Sequence, residues 1–152
     1  MLNLKEISKK LLHGDFSSLL HYGDNNKIHP SEVAKLFNGL PADVSITAFN
    51  SFSVKKQVVV FSYLDNLLQK KIIRHLSKDK ATYILNKLSS DDRLALINSL
   101  KGVERSHVLE LLEDKNKKST QDMLGYPKES VARLVNTEFA TVNKDMTVGA
   151  AI

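Results

Sequence analysis

The chain has 152 residues, of which 42% are hydrophobic and 26% charged, and its formal net charge is +5. This composition is ordinary for a globular protein, and the length is sufficient for one domain with a hydrophobic core. The chain has no cysteine, which excludes disulfide bonds and metal sites built on thiolates. No apolar run reaches the roughly 18 residues that a membrane-spanning helix needs, and the first residues lack the pattern of a secretory signal peptide.

Two short helices are predicted at the start of the chain. The first covers residues 3–13 and carries its leucine and isoleucine side chains on one side. Gly14 can end this helix in a left-handed backbone conformation, and Asp15 can cap the second helix, from Phe16 to Tyr22. Both helices precede the repeating part of the sequence.

From Ile28 onward the sequence repeats with a step of twelve residues. One column of equivalent positions is apolar nine times in succession, and two further columns keep the same step. The three columns are Ile28, Leu40, Phe52, Leu64, Leu76, Leu88, Leu100, Leu112 and Leu124; Leu36, Ala48, Val60, Ile72, Ile84, Leu96 and Val108; and Phe37, Phe49, Phe61, Ile73, Leu85, Ile97 and Leu109. Within each repeat the apolar positions lie at i, i+1 and i+4, which is the buried stripe of an α-helix.

The chain must break once in every repeat. One continuous helix would turn its apolar stripe by about 120° per twelve residues, so it could not bury all three columns on one side. Residues that cap or open helices follow the first column at successive boundaries: Pro41, Ser53, Asp65, Ser77 and Ser89. We therefore predict helices over residues 31–39, 42–51, 54–63, 66–75, 78–87, 90–99 and 103–113. The polar segment Asp114 to Asp122 can be the frayed end of a helix or a loop.

Helices this short are unstable alone in water, so each must bury its apolar stripe against its neighbours. This requirement favours an all-α solenoid or compact superhelix of about ten short helices over residues 1–125. The alternative is an irregular helical bundle in which the spacing is a coincidence.

The character of the sequence changes at Tyr126. Residues 126–135 are predicted to form one more helix, and residues 138–142 alternate in the manner of a β-strand. A turn and the beginning of another helix follow. Because one strand without a partner cannot form a core, we expect residues 126–152 to be a linker helix and the truncated start of a second, α/β domain.

Basic residues crowd the middle of the repeat. Eight of them stand against two acidic residues between Ser53 and Leu88. We call this set the basic strip: Lys55, Lys56, Lys70, Lys71, Arg74, Lys78, Lys80 and Lys87. It is either the solvated outer side of short helices or a surface for an acidic partner, lipid headgroups or nucleic acid. No nucleic-acid-binding motif accompanies it, so we predict no nucleic-acid partner.

Catalytic patterns are missing from the sequence. The five histidines have no metal-ligand spacing, and the chain has neither a glycine-rich phosphate loop nor a nucleophile elbow. Paired acids occur only where helices are predicted to begin. We therefore predict that the protein is not an enzyme.

Several segments of the chain resemble the MgtE family of magnesium channels and transporters. The most specific is the tail from Tyr126 to Val142 with Asp145-Met146-Thr147-Val148, which resembles the junction between the family's N domain and its cystathionine-β-synthase-type (CBS) domains. The segments His13-Gly14-Asp15-Phe16 and Ile28-His29-Pro30 are also similar, as is Leu-Pro or Leu-Ser at repeat boundaries. The resemblance covers essentially the whole chain.

The resemblance implies a right-handed superhelical N domain, followed from residue 126 by the start of a CBS domain. The intact protein would be a homodimer in the plasma (inner) membrane, with this part in the cytosol and its own CBS and transmembrane domains as partners. Mg²⁺ bound weakly between the N and CBS domains would screen facing carboxylates, draw the domains together and close the pore.

The family's acidic pair at the start of one N-domain helix corresponds to Asp91 and Asp92, which are therefore the candidate metal ligands. Alternatively, they are ordinary acids at a helix N-terminus. Ala95 stands where a further acid would complete a ligand face. We expect this domain alone to bind Mg²⁺ weakly or not at all. The alternative function is a stacked-helix interaction module that transports nothing and uses the basic strip for docking.

Overall fold

A computed structural model describes residues 4–17, 19, 28–127, 129–133, 146–147 and 149. It gives bounds for nine α-helices and one 3₁₀ turn, Val131–Arg133. The α-helices are α1 Leu4–Leu12, α2 Pro30–Asn38, α3 Ala42–Asn50, α4 Val54–Ser62, α5 Asn66–His75, α6 Lys78–Lys87, α7 Ser90–Ser99, α8 Gly102–Glu110 and α9 Asp114–Gly125. No strand occurs among these residues, and the all-α prediction is confirmed.

The helices break where the sequence predicts. Helices α2 to α7 begin and end within one residue of their predicted bounds. The predicted caps Ser53, Asp65, Ser77 and Ser89 each stand directly before a helix in an extended backbone conformation. Gly14 adopts the left-handed conformation expected at the end of α1, with φ +80°.

Two predictions near the end of the repeat are wrong. The polar segment from Asp114 is neither a loop nor a frayed end, because α9 continues to Gly125 and buries Thr120 and Met123. The predicted helix over residues 126–135 does not begin at Tyr126, because residues 126, 127, 129 and 130 are not helical. There the side chain of Arg133 folds back, and its Nε and Nη2 atoms donate to the carbonyl oxygens of Tyr126 and Leu124 at 2.8 and 2.9 Å.

The predicted strand over residues 138–142 and most of the predicted helix from Phe16 to Tyr22 lie outside the described residues.

Most helices pack mainly against the helix two places along the chain. Helices α2, α4 and α6 form one stack, and helices α1, α3, α5, α7 and α9 form a second stack. Helix α8 lies against α7. This regular stacking is the architecture of a helical solenoid rather than of an irregular bundle. Its right-handed sense stays a prediction.

The three apolar columns supply the core. Phe37, Phe49 and Phe61 are fully buried, and the ring of Phe49 lies 6.2 Å from that of Phe61. Burial of such a side chain contributes about 1.5–3 kcal/mol. Because each helix spans only 9 to 12 residues, this packing between helices, and not helix propensity, stabilises the fold.

A fourth column of the repeat is buried from α3 to α7, and it is polar there except at Ala81. Its polar side chains join consecutive helices. Ser45, Gln57, Gln69 and Arg93 occupy equivalent positions separated by multiples of twelve. Each donates to the carbonyl oxygen of the residue eight places earlier, in the last turn of the preceding helix. These distances are 2.8, 2.9, 2.8 and 3.0 Å. The last carbonyls of an α-helix have no partner within the helix. These polar side chains therefore provide hydrogen-bond donors for carbonyl oxygens at the C-terminal ends of α2, α3, α4 and α6.

Two asparagines make longer-range links between helix ends. The Oδ1 atom of Asn38, at the end of α2, accepts from the backbone N–H of Asp65, which precedes α5, at 3.2 Å. The Oδ1 atom of Asn86, in the last turn of α6, accepts from the N–H of Glu113, which precedes α9, at 2.8 Å. Both bonds span 27 residues, so they fix the spacing of the stacked helices.

Candidate metal site and charged surfaces

The candidate ligands Asp91 and Asp92 lie in the first turn of α7, which begins at Ser90 and has Ser89 as its N-cap. The Oγ atom of Ser89 donates to Asp92 Oδ2 at 2.9 Å, and the N–H of Asp92 donates to Ser89 Oγ at 3.4 Å. Ser89 therefore caps the helix through its side chain, and the Asp92 carboxylate accepts from the hydroxyl of that cap. The positive end of the helix dipole also favours both carboxylates.

Partial burial raises the pKa of Asp92 above its ordinary value. The hydrogen bond from Ser89 opposes this effect, and the neighbouring charge of Asp91 adds to it. The ionised form of Asp92 is therefore less favourable in the folded protein than in water. A cation near the two carboxylates would relieve both the desolvation and the mutual repulsion.

The pair offers few ligands by itself. Among the described residues, no three histidine or acidic side chains are grouped so that they could hold a metal ion. Ala95, one turn further along α7, is exposed and has no ligand atom. Mg²⁺ commonly takes only one or two protein carboxylates and keeps several waters. Two carboxylates are enough for such a hydrated ion, provided that water or another domain supplies the remaining ligands.

Arg93 follows the acidic pair but points to the interior. It is fully buried, and its Nη2 atom donates to the carbonyl oxygen of Leu88 at 2.6 Å in addition to the bond from Nε to Leu85. Its positive charge therefore lies against the C-terminal end of α6, where the helix dipole is negative. The two acids and the arginine thus face different surroundings although they are adjacent in sequence.

The basic strip does not form one continuous line. Arg74 on α5 pairs with Glu104 on α8, and this ion pair joins two helices of the solenoid. Lys70 and Lys71 are half-buried on α5. Lys55, Lys78, Lys80 and Lys87 are exposed on α4 and α6. Four of the five exposed basic residues of the strip therefore lie on one stack of helices, and the fifth is Arg74.

A cleft of about 340 Å³ opens beside the Arg74–Glu104 pair. Its lining combines apolar side chains with charged or polar ones. These residues are Ile73, Leu76, Ala81, Leu100, Val108 and Leu111, with Lys70, Arg74, Lys78, Glu104 and His107. The cleft has no side chain of the acidic pair, so it is separate from the candidate metal site.

Sequence reasoning did not identify the polar column or the division of the basic strip. The column is visible in the sequence once the repeat is aligned, since Gln57, Gln69 and Arg93 share one register. The Arg74–Glu104 pair has no such signal, because its partners lie 30 positions apart on differently oriented helices.

No described helix is both long enough and apolar enough to span a membrane.

A comparison with curated proteins gave no match. The family model of the MgtE intracellular N domain matches residues 28–129, which is two thirds of the chain and includes helices α2 to α9. The chain therefore belongs to the family of MgtE intracellular N domains, which are cytosolic domains of magnesium transporters.

Proposed function

We propose that this domain regulates a magnesium transporter by responding to Mg²⁺ at the first turn of α7. The observation that carries the proposal is the position of Asp91 and Asp92 inside the region that matches the family. Two adjacent, half-buried carboxylates repel one another, and the raised pKa of Asp92 reflects part of that unfavourable environment. A hard dication bound there replaces repulsion by attraction.

Regulation requires a second surface. Asp91 and Asp92 provide at most two protein ligands, so a weak, hydrated Mg²⁺ ion would bridge them to acidic or carbonyl groups of an adjoining domain. The adjoining domain is expected to be of the CBS type, in a protein that works as a homodimer. Mg²⁺ then favours the docked arrangement over the separated one by its differential affinity for the two. Docking would close the pore when intracellular Mg²⁺ is plentiful.

The first test is calorimetric titration of Mg²⁺ into the 152-residue chain. We expect no binding heat at submillimolar Mg²⁺, because the ligand set is incomplete. Submillimolar affinity in this chain would contradict the bridging arrangement.

The second test uses the complete transporter and limited proteolysis at increasing Mg²⁺. Docking should protect the protein from cleavage between its domains. The double variant D91N/D92N should need severalfold more Mg²⁺ for the same protection, whereas D79N, which removes a first-turn acid of α6, should behave as the wild type. Equal protection of D91N/D92N and the wild type would refute the assignment of these residues.

The runner-up function is a stacked-helix interaction module without a role in transport. The exposed lysines of α4 and α6 favour a docking role for that part of the surface. Docking there is compatible with magnesium regulation, since it involves a different side of the domain.

A further inference from the structure

The outer side of α4 and α6 combines exposed lysine, tyrosine and valine side chains. Val59, Tyr63 and Tyr83 are 47%, 48% and 40% exposed. Lys80 and Lys87 are exposed on α6, on the same side as Tyr83, because residues at i, i+3 and i+7 share one side of a helix. We call this surface the lysine–tyrosine face, formed by the exposed residues Val59, Tyr63, Lys80, Tyr83 and Lys87 with the half-buried Lys56.

The repeat places these side chains next to one another. Helix α4 packs directly on α6, and positions 24 apart are equivalent after two repeats. Tyr83 therefore corresponds to Val59, and Lys87 corresponds to Tyr63. The ring of His29 contacts that of Tyr63 edge-on, at a centroid distance of 5.6 Å, and this contact helps to fix the tyrosine at the surface.

The charge of the face is positive. Helices α4 and α6 together carry five lysines and one acidic residue, Asp79. Asp79 lies in the first turn of α6, while Lys80 and Lys87 extend along the exposed side. Position 32, two repeats before Lys56, is Glu32 on α2, and the same helix also carries Lys35.

We propose that the lysine–tyrosine face docks on an anionic lipid surface. Tyrosine rings are favoured at the level of lipid headgroups, because one end of the ring is apolar and the other forms hydrogen bonds. Long lysine side chains can lay their methylenes on an apolar surface and keep their charges at phosphate groups. The cytoplasmic leaflet carries anionic lipids that attract such basic surfaces.

The residue types favour a lipid surface over an acidic protein. Helices α4 and α6 have five lysines and no arginine, whereas protein interfaces are enriched in arginine and depleted in lysine. The concave cleft of the domain, which would suit an inserted peptide, is lined by Ile73, Leu100 and Val108 and not by the exposed aromatic residues of the face. A cytosolic domain of a membrane transporter also works within reach of a membrane. This inference does not depend on Mg²⁺ binding by Asp91 and Asp92.

The test is cosedimentation of the 152-residue chain with vesicles of phosphatidylcholine that contain about one third phosphatidylserine. We expect binding at about 0.1 M salt and its loss near 1 M salt, where the Debye length falls to about 3 Å. Vesicles of phosphatidylcholine alone should bind little. Each lysine near an anionic surface contributes about fivefold to binding, so K80Q/K87Q should bind about 25-fold more weakly.

The matched control is K115Q/K118Q, which removes two exposed lysines of α9 and gives the same net charge. It should bind within about twofold of the wild type if the lysine–tyrosine face makes the contact. Y63S/Y83S should also weaken binding without any change in net charge. Circular dichroism checks that all variants keep the helical fold.

Three results would overturn the proposal. They are equal binding of the wild type to both kinds of vesicle, equal weakening in the two lysine variants, and no binding at low salt. In the last case, specific binding of the face to an acidic protein would identify the other occupant. Failure of any of these vesicle tests leaves the magnesium titrations unaffected, so the two proposals are separable.

Discussion

Helices α4 to α6 and helices α7 to α9 have similar interiors and different surfaces. In both regions the three apolar columns face the core, and the polar column continues from Gln57 and Gln69 to Arg93. Outside, the first region carries the basic strip, while the second begins with Asp91 and Asp92. The interior is set by the requirement that short helices pack and cap one another. The surface is free of that requirement, so it is where the two regions can acquire different functions.

The largest effect is expected at the buried arginine. R93M should lower the free energy of unfolding by about 2–4 kcal/mol, because the carbonyls of Leu85 and Leu88 lose buried donors. The control is R105M, which changes the next residue of the same column, a half-buried arginine. It should change stability by less than about 0.5 kcal/mol. Guanidinium chloride denaturation measures both variants, and a loss in R93M as small as that expected for R105M would show that the buried arginine does not stabilise the fold.

A smaller effect distinguishes the two glutamines of the column. Q69M removes the bond from Gln69 Nε2 to Phe61 O and should cost about 1–2 kcal/mol. Q57M removes the equivalent bond to Phe49 O, but it also removes Gln57 Oε1, a buried acceptor without a hydrogen-bond partner among the described residues. Relief of that buried oxygen offsets part of the loss, so Q57M should be the milder variant. Urea denaturation of the two proteins gives the comparison, and a larger loss in Q57M would contradict it.

The smallest effect concerns the pH dependence of the acidic pair. Because the pKa of Asp92 is raised in the folded state, the folded protein binds more protons than the unfolded chain at pH values just above 3.8. Stability from this carboxyl is therefore fully present below the unfolded pKa and declines as the pH rises through the folded pKa. D92N removes this decline. A plot of the thermal unfolding midpoint against pH should therefore have different slopes for the wild type and D92N between the unfolded and folded pKa values of Asp92. Identical slopes would show that Asp92 has the same pKa in the folded protein as in the unfolded chain.

Much of the fold follows from the sequence because one period controls it. The apolar columns and the caps Asp65 and Ser89 determine where helices break, and six helices agree with their predicted bounds. Helix α9 was missed because its sequence is mostly polar and only a few side chains, such as Thr120 and Met123, are buried.

The candidate site was predictable only in its location. The acidic pair in a predicted first turn is visible in the sequence, but the capping bond from Ser89 to Asp92 depends on side-chain conformation. The orientation of Arg93 toward α6 depends on how the two helices pack. The lysine–tyrosine face likewise becomes visible only when α4 and α6 are known to be neighbours.

The most direct test of the difference between the two regions is hydrogen exchange in the complete transporter, with and without Mg²⁺. We predict that Mg²⁺ slows exchange in the first turn of α7, residues 90–93, and leaves α4 and α6 unchanged. In D91N/D92N the protection of α7 should disappear at the same Mg²⁺ concentration. Protection of α4 and α6 without protection of α7 would contradict the assignment of the magnesium response to the acidic pair.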